Sequence, residues 1–292
     1  MVEGTHDSRH RYKMSMPHIG IMQGRLSPSR NKGVQFFPFE TWLEEFEKAH
    51  QLKLFDVDFI FDLDRYTENP LWNENGRIEI RKIVQETGVK VQHITADFFM
   101  RQPFFRTDKK TRLENEVVLS KLLEYANEIG ALNIEIPLLD NSSLKTDDER
   151  KIFIESIHRT LEKTRNPVTI TLEADLEPKT FFSLLEEINT PRVQMVYDTG
   201  NSAGSGYNPK EEIVVLARYI SHVHIKDRIM GNGTVPLGTG STRFEDVFKT
   251  LASVNFKGNF ILQAARGTDG EEEQTISGYK NFVMNYINKY LS

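Results

Sequence analysis

Short apolar runs alternate with longer helical patterns eight times along this chain, a rhythm that few architectures accept. The runs are His18–Leu26, Leu54–Phe61, Val89–Phe98, Ala131–Leu139, Val168–Glu173, Val193–Asp198, Ile220–Lys226 and Asn259–Ala264. The helical patterns cover about Phe39–Leu52, Asn75–Thr87, Thr111–Ile129, Asp147–Thr164, a stretch opened by Pro178, Pro209–Tyr219, Thr242–Val254 and Thr275–Leu291. Gly88 and Gly130 stand where helix C-caps fall, and Thr146 with Glu149 three residues on makes a capping-box pattern. Pro178 and Pro209 open helices, at a position where proline is tolerated. No low-complexity linker or composition break interrupts the series. The expected fold is therefore α/β: a (β/α)8 TIM barrel, one domain over 18–292. Residues 1–17 are polar and lack an apolar h-region, so they read as a flexible N-terminal tail and not a secretory signal.

Composition excludes several classes of function. The net charge of −5 offers no basic field for a nucleic-acid backbone, so no nucleic-acid partner is expected. The absence of cysteine removes disulfides, thiol nucleophiles and zinc–thiolate sites, and fits a reducing, cytoplasmic setting. No apolar run approaches the roughly 18 residues of a membrane span, so no membrane partner is expected.

Strand parity carries the chemistry. Alternate residues of a barrel strand face its interior. That places Thr169, Thr171 and Glu173 on one face of strand five, and His222, His224 and Lys226 on one face of strand seven. Strand four offers Asn133 and Glu135, and strand three His93 and Asp97. In each strand the apolar set faces the helices, which leaves an unusually polar interior. The last inward residues of strands five, six and seven are Glu173, Asp198 and His224. Two carboxylates and an imidazole suit one divalent ion such as Mn²⁺, Mg²⁺, Zn²⁺ or Co²⁺. Internal salt bridges and hydrogen bonds are the alternative use of the same groups.

These residues bring a family into view. Tyr197-Asp198-Thr199-Gly200-Asn201 and His222-Val223-His224-Ile225-Lys226-Asp227 resemble the xylose isomerase-like family of sugar and sugar-phosphate isomerases and epimerases. Met22-Gln23-Gly24-Arg25-Leu26 and Val235-Pro236-Leu237-Gly238-Thr239-Gly240 extend the resemblance over the chain from His18 onward. It implies one divalent metal held by a Glu on strand five, an Asp on six, a His on seven and a Glu on eight. Glu173, Asp198 and His224 match, but Gln263 stands where the second glutamate belongs. An amide oxygen can still be a ligand, yet it brings no charge and takes no proton. The family's two-glutamate epimerisation is thereby put in doubt, with Glu173 as the base that remains. Aldose–ketose isomerisation and elimination of water need only one base, with the metal polarising the carbonyl.

The expected substrate is a small sugar or its phosphate. Lys226, Asp227 and Arg228 lie just past strand seven, Arg25 and Arg266 end strands one and eight as guanidinium forks, and Asp97, Asn201 and His222 complete the candidate contacts. The glycine-rich loop Gly231–Gly240 is a further candidate for phosphate. Phe98, Phe99, Phe104 and Phe105 either pack locally or wall the site. Barrels of this kind often pair, so a homodimer is one expectation. A sugar-binding barrel without turnover is the alternative that Gln263 raises. Abasic-site endonucleases share the barrel, but they need more strand-end histidines than the 8 here supply, some of them in or beside the tail.

Overall fold

Each apolar run supplies a strand to one closed parallel sheet in the computed structural model of the chain, which describes residues 17–30 and 32–291. The tail reading of Met1–Pro17 lies, but for Pro17, outside the described residues. The barrel strands are β1 (Ile19–Met22), β2 (Val57–Ile60), β3 (His93–Thr95), β4 (Asn133–Leu138), β5 (Thr169–Ala174), β6 (Val193–Asp198), β7 (Ile220–Ile225) and β8 (Phe260–Leu262). Each neighbours the next in order, and β8 closes on β1 through Ile19 opposite Phe260. The outer helices are α1 (Trp42–Gln51), α2 (Glu74–Thr87), α3 (Lys109–Ile129), α4 (Asp147–Lys163), α5 (Pro178–Ile188), α6 (Pro209–Leu216), α7 (Phe244–Ser253) and α8 (Glu272–Tyr290).

The strands are shorter than the apolar runs, because the ends of each run belong to the turns. Val89–Phe98, for example, contains only three strand residues, His93–Thr95, besides the isolated bridge of Lys90 to Asp56, and Phe98–Arg101 turns into a short helix. The helix ends follow the sequence punctuation. Gly88 and Gly130 cap α2 and α3 at φ 76° and 81°, a conformation that favours glycine. Thr146 accepts from the Glu149 N–H at 3.2 Å, although Glu149 returns its bond to the Lys145 N–H, at 2.7 Å.

Ile134, Ile136, Ile170, Leu172, Val223 and Ile225 are buried and pack outward into the helix layer, beside Leu122, Leu123, Ile157 and Leu184. Phe98, Phe99, Phe104 and Phe105 are buried too, with Phe99 stacked on Phe104 at 4.9 Å, so they pack locally and do not wall the site. Inside the barrel, Asp58, Thr95, Glu135, Thr171, His222 and His224 are all buried. Gly20 is required at its place on β1, because a Cβ there would meet Asp56 Oδ1 at 1.6 Å. Between β6 and β7 the register shifts at Met195/Val196, which sets Asp198 directly opposite His224. Among the described residues, no helix is long and apolar enough to cross a membrane.

Candidate active site

Glu173, Asp198 and His224 end β5, β6 and β7, all buried, with ligand-capable atoms within 4.8 Å of one another. Asp198 serves two neighbours. Its Oδ1 accepts from the Asn201 N–H at 2.7 Å, opening the short helix Thr199–Gly204, and its Oδ2 pairs with Lys226 Nζ at 2.7 Å. Burial would raise the Asp198 pKa, but the Lys226 and His224 charges outweigh it and hold the carboxylate below its ordinary value. Glu173 is raised by burial and then by Asp198, against the pull of Lys226 and His224. Asn201 donates its side-chain amide to Glu173 Oε1 and accepts from Arg228 at 3.0 Å, so the residue is a strut between loop and carboxylate.

His224 sits between two layers. Its Nε2 lies 3.1 Å from Asp58 Oδ2 and 3.4 Å from Glu135 Oε2. Nδ1, fully buried, has no hydrogen-bond partner among the described residues. A carboxylate behind an imidazole whose other nitrogen is free is the arrangement that orients metal-binding histidines. Burial opposes the imidazolium, but Asp58 and then Glu173 and Asp198 raise the His224 pKa above the ordinary value. Gln263, just beyond β8, is also buried, and its Oε1 has no partner among the described residues. The donor set of His224 Nδ1, Gln263 Oε1 and the two carboxylates therefore fits a divalent cation.

A cavity of about 380 Å³ opens above these groups, bordered by Arg25, Gln35, Asp62, Asp97, Glu173, Asn201, Lys226, Arg228 and Gln263 among others. A larger cavity of about 890 Å³ lies at the opposite end of the barrel, around His18, His50 and Lys280, away from the strand-end carboxylates. The structure thus gathers Arg25, Asp97, Asn201, Lys226 and Arg228 around Glu173 and Gln263. It does not bring His222, Asp227 or Arg266 to the cavity. His222 lies deep in the barrel, stacked on His93 at 3.9 Å, and is kept neutral by burial and by the neighbouring His93 and His224. Arg266 donates to the carbonyls of Val34, Ser27 and Gly24 at 2.9, 2.9 and 2.6 Å and ties down the loop after β1. Arg25 reaches the cavity, but it also donates to the Ala264 and Val34 carbonyls, and burial lowers its pKa to about 9.

Asp227 corrects the phosphate reading of the glycine-rich loop. Its buried carboxylate accepts from the N–H groups of Gly238, Gly240 and Thr242 at 2.9, 2.9 and 3.0 Å. The backbone nest that would receive an external anion is filled from within the chain. No site role for Asp58, Glu135 or Gln35 was read from the sequence. The first two were legible as inward-facing acids, since Asp58 alternates with Val57 and Phe59 on β2. Gln35 lies on a loop with no period to place it.

A closed parallel barrel with carboxylates and an imidazole converging at its strand ends defines the class of strand-end active sites. The chain belongs to the xylose isomerase-like TIM barrel family, whose model matches residues 46–281. L-ribulose-5-phosphate 3-epimerase UlaE of Escherichia coli is 24% identical over 253 residues, covering 84% of this chain and 89% of that protein. The D-allulose 3-epimerase of a Methylomonas species superposes with a TM-score of 0.75 at 13% identity, covering 93% and 98% of the two chains. A xylose isomerase-like barrel protein of Mycobacterium smegmatis, solved in complex with magnesium, gives 0.68 at 14%, covering 95% and 98%.

Proposed function

We propose that the chain is an isomerase or epimerase of a small sugar or sugar phosphate, dependent on one divalent metal, in which Glu173 removes a proton next to the substrate carbonyl. The observation that carries this reading is Glu173 itself: a buried carboxylate that borders the 380 Å³ cavity and is steadied by Asn201. Burial and the Asp198 charge raise its affinity for a proton, which makes it a stronger base than an ordinary carboxylate. Asp198, His224 and Gln263 would hold the ion with Glu173, and Asp58 would keep the His224 ring in place. When bound, such an ion polarises a carbonyl and stabilises the negative charge that develops on its oxygen. Lys226 and Arg228 border the same cavity and offer cations to a phosphate or to hydroxyls. The named relatives make a ketose 5-phosphate the first substrate to try.

The test is solvent exchange. Protein loaded with Mn²⁺ is incubated with L-ribulose 5-phosphate in D₂O, and the carbon-bound protons beside the carbonyl are followed by NMR. The reading expects deuterium at one of those carbons with the wild type, and a loss of at least ~10²-fold with Glu173→Gln. Metal binding with no exchange into any ketose or aldose phosphate would favour a sugar-binding barrel without turnover, which is the reading Gln263 supports on its own.

A further inference from the structure

The residue that replaces the family's second glutamate ends a chain of amides. Gln263 Nε2 donates to Gln35 Oε1 at 3.0 Å, and Gln35 Nε2 donates to Asp97 Oδ2 at 2.7 Å. The direction of this chain follows from its far end. An ionised carboxylate only accepts, so Gln35 must turn its NH₂ toward Asp97 and its carbonyl toward position 263. Only a side chain with an N–H or O–H can then satisfy the Gln35 carbonyl from that position, and an ionised carboxylate has neither. An ionised glutamate there would turn Gln35 end for end and set its carbonyl against Asp97. Gln263 is thus matched to the ionised form of Asp97, the form that takes a proton.

Asp97 follows β3 and borders the cavity from that wall, while Glu173 borders it from β5. The other candidates for acid–base work are engaged or more exposed. Lys226 is paired with Asp198, and Asp62 accepts from the Leu63 N–H and lies 3.7 Å from Arg101. Asp97 is only 8% exposed, and the hydrogen bond from Gln35 to its Oδ2 leaves Oδ1 for a ligand.

We propose that Asp97 is the second acid–base group of this site and works with Glu173 in place of the carboxylate that Gln263 has replaced. The assignment rests on the proton-abstraction reading above. The Glu173 carboxylate takes the proton from the carbon beside the carbonyl. The C–H electron pair becomes the carbon–carbon π bond of an enolate, and the carbonyl π pair moves to oxygen. Protonated Asp97 then gives its proton to the same carbon, the enolate pair forms the new C–H bond, and the carbonyl is restored. Glu173 is left protonated and Asp97 ionised, and exchange with solvent, or the reverse reaction, resets them. Burial raises the Asp97 pKa to about 7, opposed by the Gln35 hydrogen bond and aided by the charges of Asp62, Glu173 and Asp58. Near neutral pH the group can therefore either give or take a proton.

The experiment compares Mn²⁺-loaded wild type, Asp97→Asn and Glu173→Gln in D₂O, each starting from L-ribulose 5-phosphate and, separately, from its C3 epimer. Wild type should exchange C3 in both directions, and product from its first turnovers should already carry solvent deuterium. Each variant should lose epimerisation by at least ~10²-fold yet still exchange one C3 proton, that of L-ribulose 5-phosphate for Asp97→Asn and that of its C3 epimer for Glu173→Gln. Asn can still accept from Gln35, so the variant keeps the amide chain. The wild-type deuterium content at first turnover provides a readout independent of any variant, and first-turnover product that retains the substrate proton would overturn the assignment of Asp97. Epimerisation by Asp97→Asn within a few-fold of wild type would overturn it as well. Wild type that exchanges no proton of either epimer would overturn the parent reading, and this one with it.

Discussion

Replacing Asp97 by Asn should stabilise the protein, and increasingly so as the pH rises. The Asp97 carboxyl binds its proton more tightly in the folded chain, about 7, than its ordinary value of 3.8. The native state therefore holds more protons than the unfolded state between those values, and stability falls as the pH climbs from about 4 to 7. Each unit is worth ~1.36 kcal/mol, so the full penalty approaches ~4 kcal/mol above neutrality. Asn carries no titrating proton, and its Oδ1 can still accept from Gln35 Nε2, now at 2.7 Å from Asp97. Between pH 5 and 8 the advantage of the variant should grow by up to ~2.7 kcal/mol, two pH units at ~1.36 kcal/mol each. Urea titrations of the chelator-treated proteins at both pH values measure this as a midpoint difference at constant m. A midpoint difference that is the same at pH 5 and pH 8 would show instead that Asp97 titrates as an ordinary carboxyl. A stabilising loss of a site carboxyl is the usual exchange of stability for function.

Three further outcomes are expected. Imidazole must shed its proton to bind a metal, and His224 holds that proton above the ordinary 6.5, so Mn²⁺ affinity in calorimetric titrations should fall as the pH drops through that region; affinity constant from pH 6 to 8 would contradict it. Asp58→Asn should weaken metal binding by roughly 10–100-fold while circular dichroism stays native, because Asp58 orients His224 from 3.1 Å without entering the cavity; unchanged affinity would remove that role. Asp227→Ala should free three backbone N–H groups, cost about 1–3 kcal/mol and expose Gly231–Gly240 to proteolysis; a loop as resistant as wild type would show the nest to be satisfied otherwise.

The barrel was legible because its signal is periodic. Alternation along β4, β5 and β7 separated residues such as Ile134, Leu172 and Val223 from Glu135, Glu173 and His224, and the structure keeps that separation. The convergence of Glu173, Asp198 and His224 follows from the same parity, since three neighbouring strands end at one rim. Residues past the strand ends escape this logic. Lys226 and Asp227 are adjacent in sequence, yet one borders the cavity and the other turns into its own loop, because a nest of three N–H groups is a stronger claim on a carboxylate than open solvent. Arg266 read as a ligand fork, but three carbonyls of the loop after β1 consume it. Gln35 could not be read at all. Its role comes from a long-range contact with Gln263, and nothing local encodes it.

Calorimetric titration of Mn²⁺ into metal-free protein tests whether Glu173, Asp198, His224 and Gln263 form one metal site. Wild type should bind one equivalent. Asp198→Ala should bind none, with the barrel's circular dichroism close to wild type and a lower urea midpoint, since the Asn201 N–H and Lys226 lose their partner. A wild type that binds no ion at pH 7.5, or an Asp198→Ala variant that binds one as tightly as wild type, would contradict the account.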